Sequence, residues 1–344
     1  MTITPAENLL PAPDAVFGHG LRGLWSLDPA IRFFNHGSYG ATPRHVQVAQ
    51  AHWRDMMEAE PVRFMVDILP DALRGARTQL AAFIDATPSN LVFVENATAG
   101  VNAVLRSLHW QPGERIVLAN HAYPAVKNTV RYLASRHGLA VSEAQIPWPL
   151  ADPQALIDAY AQALKGGARL AIIDHVFSPL AVVTPLAAIV ALCSDQGVAV
   201  LVDGAHAPGM LPLSLDTLAG IGVDWYVGNC HEWLCAPKGC GFLYATPTGQ
   251  RDLHPAVISN FYGEGFEMEF AWTGTGDPSA RLAVSAALAF VEALGVKRYR
   301  AALAGQARAA AGHITAAWGV APGAPADMFA AMVTLPLPVD EPAS

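Results

Sequence analysis

Short apolar runs punctuate the middle of the chain, and helix-length segments separate them. Arg115–Ala119 (RIVLA) is one such run, and Ala125–His137 behind it repeats its apolar residues at helical spacing. Pro153–Leu164 has the same helical pattern and leads into Leu170–Asp174 (LAIID). Thr184–Gln196 predicts a helix and Val198–Val202 (VAVLV) a strand, with two more short runs at Trp225–Val227 and Gly241–Tyr244. This alternation predicts βαβ units: a mostly parallel sheet with helices on both faces. In that architecture ligands sit beyond the carboxyl ends of the strands, so the residues just after each run are the ones to inspect.

The pattern changes towards the C-terminus. Asp277–Leu294 and Lys297–Trp318 predict two long alanine-rich helices, and Met328–Leu335 predicts a final strand before Ser344. A strand opening a new sheet rarely stands alone. The expected organisation is an N-terminal segment (1–44), a large ligand-binding domain (45–255), and interdomain helices with a truncated α+β small domain (256–344). The lone strand would carry an unpaired apolar edge, a liability for solubility or a demand for a partner.

At 344 residues and 52% apolar, the chain can build a large core. No run reaches the roughly 18 apolar residues of a membrane span. The start, MTITPAENLLPAPDA, lacks the basic and apolar regions of a secretory signal, so a cytoplasmic protein is expected. A net charge of −8, dispersed along the chain, argues against nucleic-acid or anionic-membrane partners. The four cysteines, Cys193, Cys230, Cys235 and Cys240, are expected as reduced thiols. His231-Glu232-Trp233-Leu234-Cys235 opens like a zinc-protease HExxH motif, but its second histidine is a cysteine, and Pro237 and the nearby glycines favour a loop. No metal is expected.

The residues after the runs each admit two readings. Asp203, followed by Gly204, Ala205 and His206, is either a turn former or an acid poised to pair with a heterocyclic nitrogen. Asn96, Ala97 and Thr98 open a helical run and are either an ordinary cap or a phosphate site at a helix N-terminus. Tyr123 is a packing residue or a stacking platform, and His175 a satisfied histidine or a ligand contact.

Taken in order, these segments resemble the class V aminotransferase family of pyridoxal-phosphate proteins, fold type I, and especially its isopenicillin N epimerase-like branch. The stretches that carry the likeness are FFNHGSYGATPR (Phe33–Arg44), NATAGVNAVLRSL (Asn96–Leu108), DGAHAPG (Asp203–Gly209), DWYVGNCHEWLCAPKGCGFLY (Asp224–Tyr244) and WTGTGDPSA (Trp272–Ala280). The resemblance implies pyridoxal 5'-phosphate as cofactor and an amino acid as substrate. It implies that Asp203 pairs with the pyridine nitrogen, His206 sits near the ring's phenolic oxygen and Tyr123 stacks on the ring. Ala97, Thr98 and His231 would hold the phosphate, with His175 and Asn229 also assigned to the cofactor. Thr275 would reach the phosphate of a partner subunit, which implies a homodimer with shared active sites. Asn35, His36 and Tyr39 would line the substrate entrance. The implied chemistry lies at the amino-acid α-carbon, as epimerisation, elimination or transamination; no cysteine is placed as a persulfide carrier.

The sequence departs from that pattern at one residue. Where the family has the lysine that forms a Schiff base with the cofactor, this chain has Glu232. A carboxylate forms no imine, and its charge near an anionic cofactor disfavours binding. Binding is therefore expected to be non-covalent and weak and activity impaired, with a non-catalytic homologue as the alternative; a general-base role for Glu232 stays open. Lys238 offers another amine, but a six-residue step past Pro237 is expected to carry it elsewhere. The resemblance also implies a C-terminal arginine for the substrate carboxylate, and none is expected in the short segment after Met328–Leu335.

Overall fold

The structure is a computed structural model that describes residues 9–338. Seven strands form one sheet: β1 (Leu91–Val94), β2 (Arg115–Ala119), β3 (Ala140–Ala144), β4 (Leu170–Asp174), β5 (Ala199–Asp203), β6 (Trp225–Asn229) and β7 (Gly241–Ala245). Their spatial order is β1-β7-β6-β5-β4-β2-β3. β7 runs antiparallel to both neighbours, and the pairs among β2 to β6 are parallel. The expected α/β architecture is the one observed.

The apolar runs become strands because helices cover them on both sides. Every residue of β1, β4, β6 and β7 is buried. The sequence pattern left out two strands. β1 is a four-residue apolar stretch. β3 (AVSEA) carries no apolar alternation and forms because its backbone pairs with β2 at the sheet edge, where Ala140 and Val141 stay exposed.

Local chemistry sets the helix boundaries. Asn96 Oδ1 accepts the Ala99 N–H at 2.9 Å and starts the Ala97–Ser107 helix. Asp152 does the same for Pro153–Ala163. Gly138, at φ 68°, ends Pro124–His137 in the left-handed conformation that glycine adopts without strain. The Asp277–Leu294 region forms two pieces, Ser279–Leu282 and Val284–Ala293. The second piece packs on the helices Arg44–Ala59 and Leu69–Phe83 and belongs to the same continuous core as the sheet. Val296–Trp318 follows as one long helix. Among the described residues no single helix is long and apolar enough to cross a membrane.

Met328–Leu335 is not a strand. Only Phe329 forms a bridge, to Val182, while Val183 N–H donates to the Met328 carbonyl at 2.8 Å. Met328, Phe329 and Ala330 are buried, Ala330 against Val176, Met210 and Trp233. The apolar residues that suggested a strand instead pack on the sheet domain, so the exposed edge expected from them does not exist.

β4, β5 and β6 end side by side at Asp174, Asp203 and Asn229, with Asp174 and Asp203 partners in the parallel register. The chain then loops through Cys230–Cys240 before re-entering as β7. Two glycines let neighbouring segments close on this region. Gly40 (φ 66°) lies against the His231 carbonyl, where a Cβ would overlap the oxygen. Gly204 lies against the Tyr226 ring in the same way.

Candidate active site

A cavity of about 410 Å³ opens beyond the carboxyl ends of these strands. That is within the roughly 300–1,000 Å³ of small-molecule sites. Its walls come from five places in the chain: the Asn35–Tyr39 segment, the Glu95–Thr98 turn after β1, Tyr123 after β2, the ends of β4 to β6, and the loop holding His231, Glu232 and Lys238. Met332, from the C-terminal coil, adds one more side.

Glu232 is almost fully buried, at 3% exposure. Its Oε1 accepts from Asn229 Nδ2 at 3.0 Å, and its Oε2 lies 2.5 Å from His206 Nδ1. Asn229 Oδ1 in turn accepts the Ala97 N–H at 2.8 Å. One chain of contacts thus runs from the helix N-terminus through Asn229 and Glu232 to His206. His36 fixes the backbone here, its Nε2 2.9 Å from the Glu232 carbonyl oxygen.

The electrostatics follow from burial. Burial, followed by the adjacent Asp203 carboxylate, pushes the Asp174 carboxyl well above the usual range. Burial also raises Asp203, with Glu232 adding to the rise and the Ala205 N–H and His206 opposing it. For His206, burial works towards a lower value, but the Glu232 carboxylate and Asp203 outweigh it and hold the imidazole above its ordinary value. Burial lowers His231 and His36. Lys238 is lowered as well, again chiefly by burial. Asp174 Oδ2 and His231 Nδ1 are buried without a hydrogen-bond partner in the protein.

The aminotransferase class-V family profile matches residues 42–337. The chain belongs to the class-V aminotransferase family. It is 33% identical over 338 residues to a probable chloroplastic L-cysteine desulfhydrase of Arabidopsis thaliana, covering 91% of this chain and 69% of that protein. It is 34% identical over 260 residues to the isopenicillin N epimerase of Streptomyces clavuligerus, covering 76% of this chain and 63% of the epimerase. The match spans about two thirds of the length of such curated relatives. In fold, the chain is similar to an apo cysteine desulfurase of Thermococcus onnurineus NA1, with a TM-score of 0.76 at 17% identity, covering 94% of this chain and 83% of that one.

Within this class-V fold, most of the residues singled out in the sequence meet at the cavity. Asn35, Tyr39, Ala97, Thr98, Tyr123, Asp203, His206, Asn229, His231 and Glu232 all line it. Tyr39 and Tyr123 are open to solvent at its mouth, 73% and 44% exposed. Three do not line it. His175 shares a 2.8 Å hydrogen bond between its Nδ1 and the Tyr226 hydroxyl, and burial lowers it to about 4, so it is a neutral histidine tied to its neighbour. His36 is turned to the Glu232 backbone. Thr275 sits on an exposed bend of its own chain.

The cavity also contains residues that the sequence did not assign to it. Asp174 ends β4 as Asp203 ends β5, and the signal was present: both apolar runs close on an aspartate. Lys238 shares the cavity with Glu232 but stands at its exposed rim, while Glu232 is buried. Met332 gave no signal, because its segment reads as a strand.

The residues present fit pyridoxal phosphate held without a covalent bond. A buried carboxylate, a capped helix N-terminus with Thr98 beside it, and an aromatic at the mouth surround a cavity of suitable size. They do not fit covalent attachment at position 232.

Proposed function

We propose that this chain binds pyridoxal 5'-phosphate non-covalently and acts, at reduced rate, at the α-carbon of an amino acid. The observation that carries this is the convergence of buried Asp203, the Asn96–Thr98 turn and Tyr123 on one cavity at the strand ends. When bound, the cofactor supplies an electron sink for the bond broken at the α-carbon. Asp203 would pair with its ring nitrogen and Tyr123 would supply a surface for the ring. Thr98 and His231 would hold the phosphate at the helix N-terminus, favoured by the helix dipole. Asn229 orients Glu232, and Glu232 keeps a proton on His206 Nδ1, 2.5 Å away, so the pair can give up or take back a proton inside the cavity. Asn35 and Tyr39 contact the amino acid at the mouth, and His36 supports them from behind. The proposal includes a homodimer in which Thr275 reaches the partner's cavity from its exposed bend.

One observation favours a second reading, a homologue that binds the cofactor without turnover. Glu232 is almost fully buried and its Oε1 is already held by Asn229, as in a purely structural residue. Turnover of amino acids, with L-cysteine included among those tried, separates the two. Measurable turnover in the protein as it stands, raised at least about a hundredfold in Glu232→Lys, supports the first. Cofactor binding with no turnover in either protein supports the second.

A further inference from the structure

Three buried carboxyl groups meet at the cavity. Asp174, Asp203 and Glu232 line it at 3%, 6% and 3% exposure. Among the described residues no lysine or arginine is buried anywhere. Lys238, the one lysine on the cavity wall, sits at the exposed rim. Of the imidazoles nearby, burial lowers His36 and His231 and so keeps them neutral, and His206 already faces Glu232. A buried carboxylate without a full counter-charge is costly, and a ligand that brings the missing cation relieves that cost.

The carboxylates form two poles. Asp174 and Asp203 stand together at the ends of adjacent strands, and Asp174 Oδ2 has no partner. Glu232 is the second pole. It receives one bond from Asn229 and one contact from His206, and a carboxylate has about four acceptor positions, so it can accept more. A ligand complementary to this cavity brings a nitrogen to each pole.

Resting on the cofactor assignment above, we propose that the cavity selects the amine form of the cofactor, pyridoxamine 5'-phosphate, over the aldehyde form, with Glu232 as the acceptor for its ammonium group. Both forms bring a ring nitrogen for Asp203. The aldehyde adds only an oxygen, whose lone pairs repel a carboxylate. The amine adds a cation and N–H donors, and charge-assisted hydrogen bonds are the strong class. Glu232 is then a specificity-determining residue rather than only a lost lysine: exchanging an amine for a carboxylate exchanges the form of cofactor that the site complements.

The test is equilibrium binding by isothermal titration calorimetry, with no turnover involved. Pyridoxamine 5'-phosphate, pyridoxal 5'-phosphate and the 4'-methyl analogue (4'-deoxypyridoxine 5'-phosphate) are each titrated into the full chain and into Glu232→Gln. The proposal expects the amine form to bind the unaltered protein at least about tenfold more tightly than either other ligand. It expects Glu232→Gln to shrink that gap to about threefold or less, through lost affinity for the amine. Equal affinities in the unaltered protein, or tighter binding of the aldehyde, overturn the proposal and leave the cofactor assignment standing. A gap that persists in Glu232→Gln also overturns it, because selection then lies elsewhere. Binding of none of the three overturns both. The ratio in the unaltered protein decides the matter even where the variant folds poorly.

Discussion

Replacing Glu232 with glutamine keeps the side chain's shape and removes its charge from the His206 pair. The two groups are 2.5 Å apart and their side chains are only 10% and 4% exposed, so solvent screens the pair little. Removing one partner of a buried pair costs about 3–5 kcal/mol. An amide that keeps the Asn229 bond places this substitution near the lower figure, about 3 kcal/mol. The loss depends on pH, and its sign is fixed. With Glu232 present, His206 is raised above its unfolded value of about 6.5. Its contribution is complete below that pH and is lost as pH rises through the folded value. Without Glu232, burial dominates and the shift reverses, so the variant is penalised most in acid, where a buried imidazole must take up a proton. His231 and His36 also lose the upward pull of Glu232, which reinforces the trend. Urea unfolding of both proteins at about pH 5.5 and about pH 8.5 should give a stability difference that is largest in acid and narrows with rising pH. A difference that is constant, or that grows with pH, refutes the pairing.

Other consequences follow from the same geometry. Gly40→Ala places a Cβ on the His231 carbonyl at a left-handed φ of 66° and should cost at least about 2 kcal/mol, read by urea unfolding, with weaker cofactor binding because Glu232 shifts with its neighbour. Asp203→Ala removes the carboxylate assigned to the ring nitrogen, and titration calorimetry should show the affinity for either cofactor form falling about tenfold or more.

Sequence pattern exposed the centre of the fold because fully buried strands must be apolar along their length, and RIVLA, LAIID and VAVLV are. It missed β3, whose AVSEA composition carries no such mark and which is a strand only through pairing with β2. The candidate site was readable near the ends of apolar runs and at the start of a helical one: Asp203, Tyr123 and the Asn96–Thr98 turn stand there and line the cavity. Asp174 closes its run as Asp203 closes β5, and its importance comes from standing beside Asp203 across two strands, a register that one strand does not encode. Lys238 and Met332 reach the cavity by the path of a loop and a coil, which periodicity does not describe. The pairing of Glu232 with His206 joins residues 26 positions apart, and only the fold brings them together.

The central claim is that a cofactor cavity is intact and that Glu232 alone prevents covalent attachment within it. Borohydride reduction in the presence of pyridoxal 5'-phosphate, followed by intact mass and peptide mapping, tests this directly on the protein as it stands and on Glu232→Lys. The account predicts no site-specific gain in the first and one reduced pyridoxyl group on residue 232 in the second. A gain in the unaltered protein mapped to Lys238, or no gain in Glu232→Lys, contradicts it.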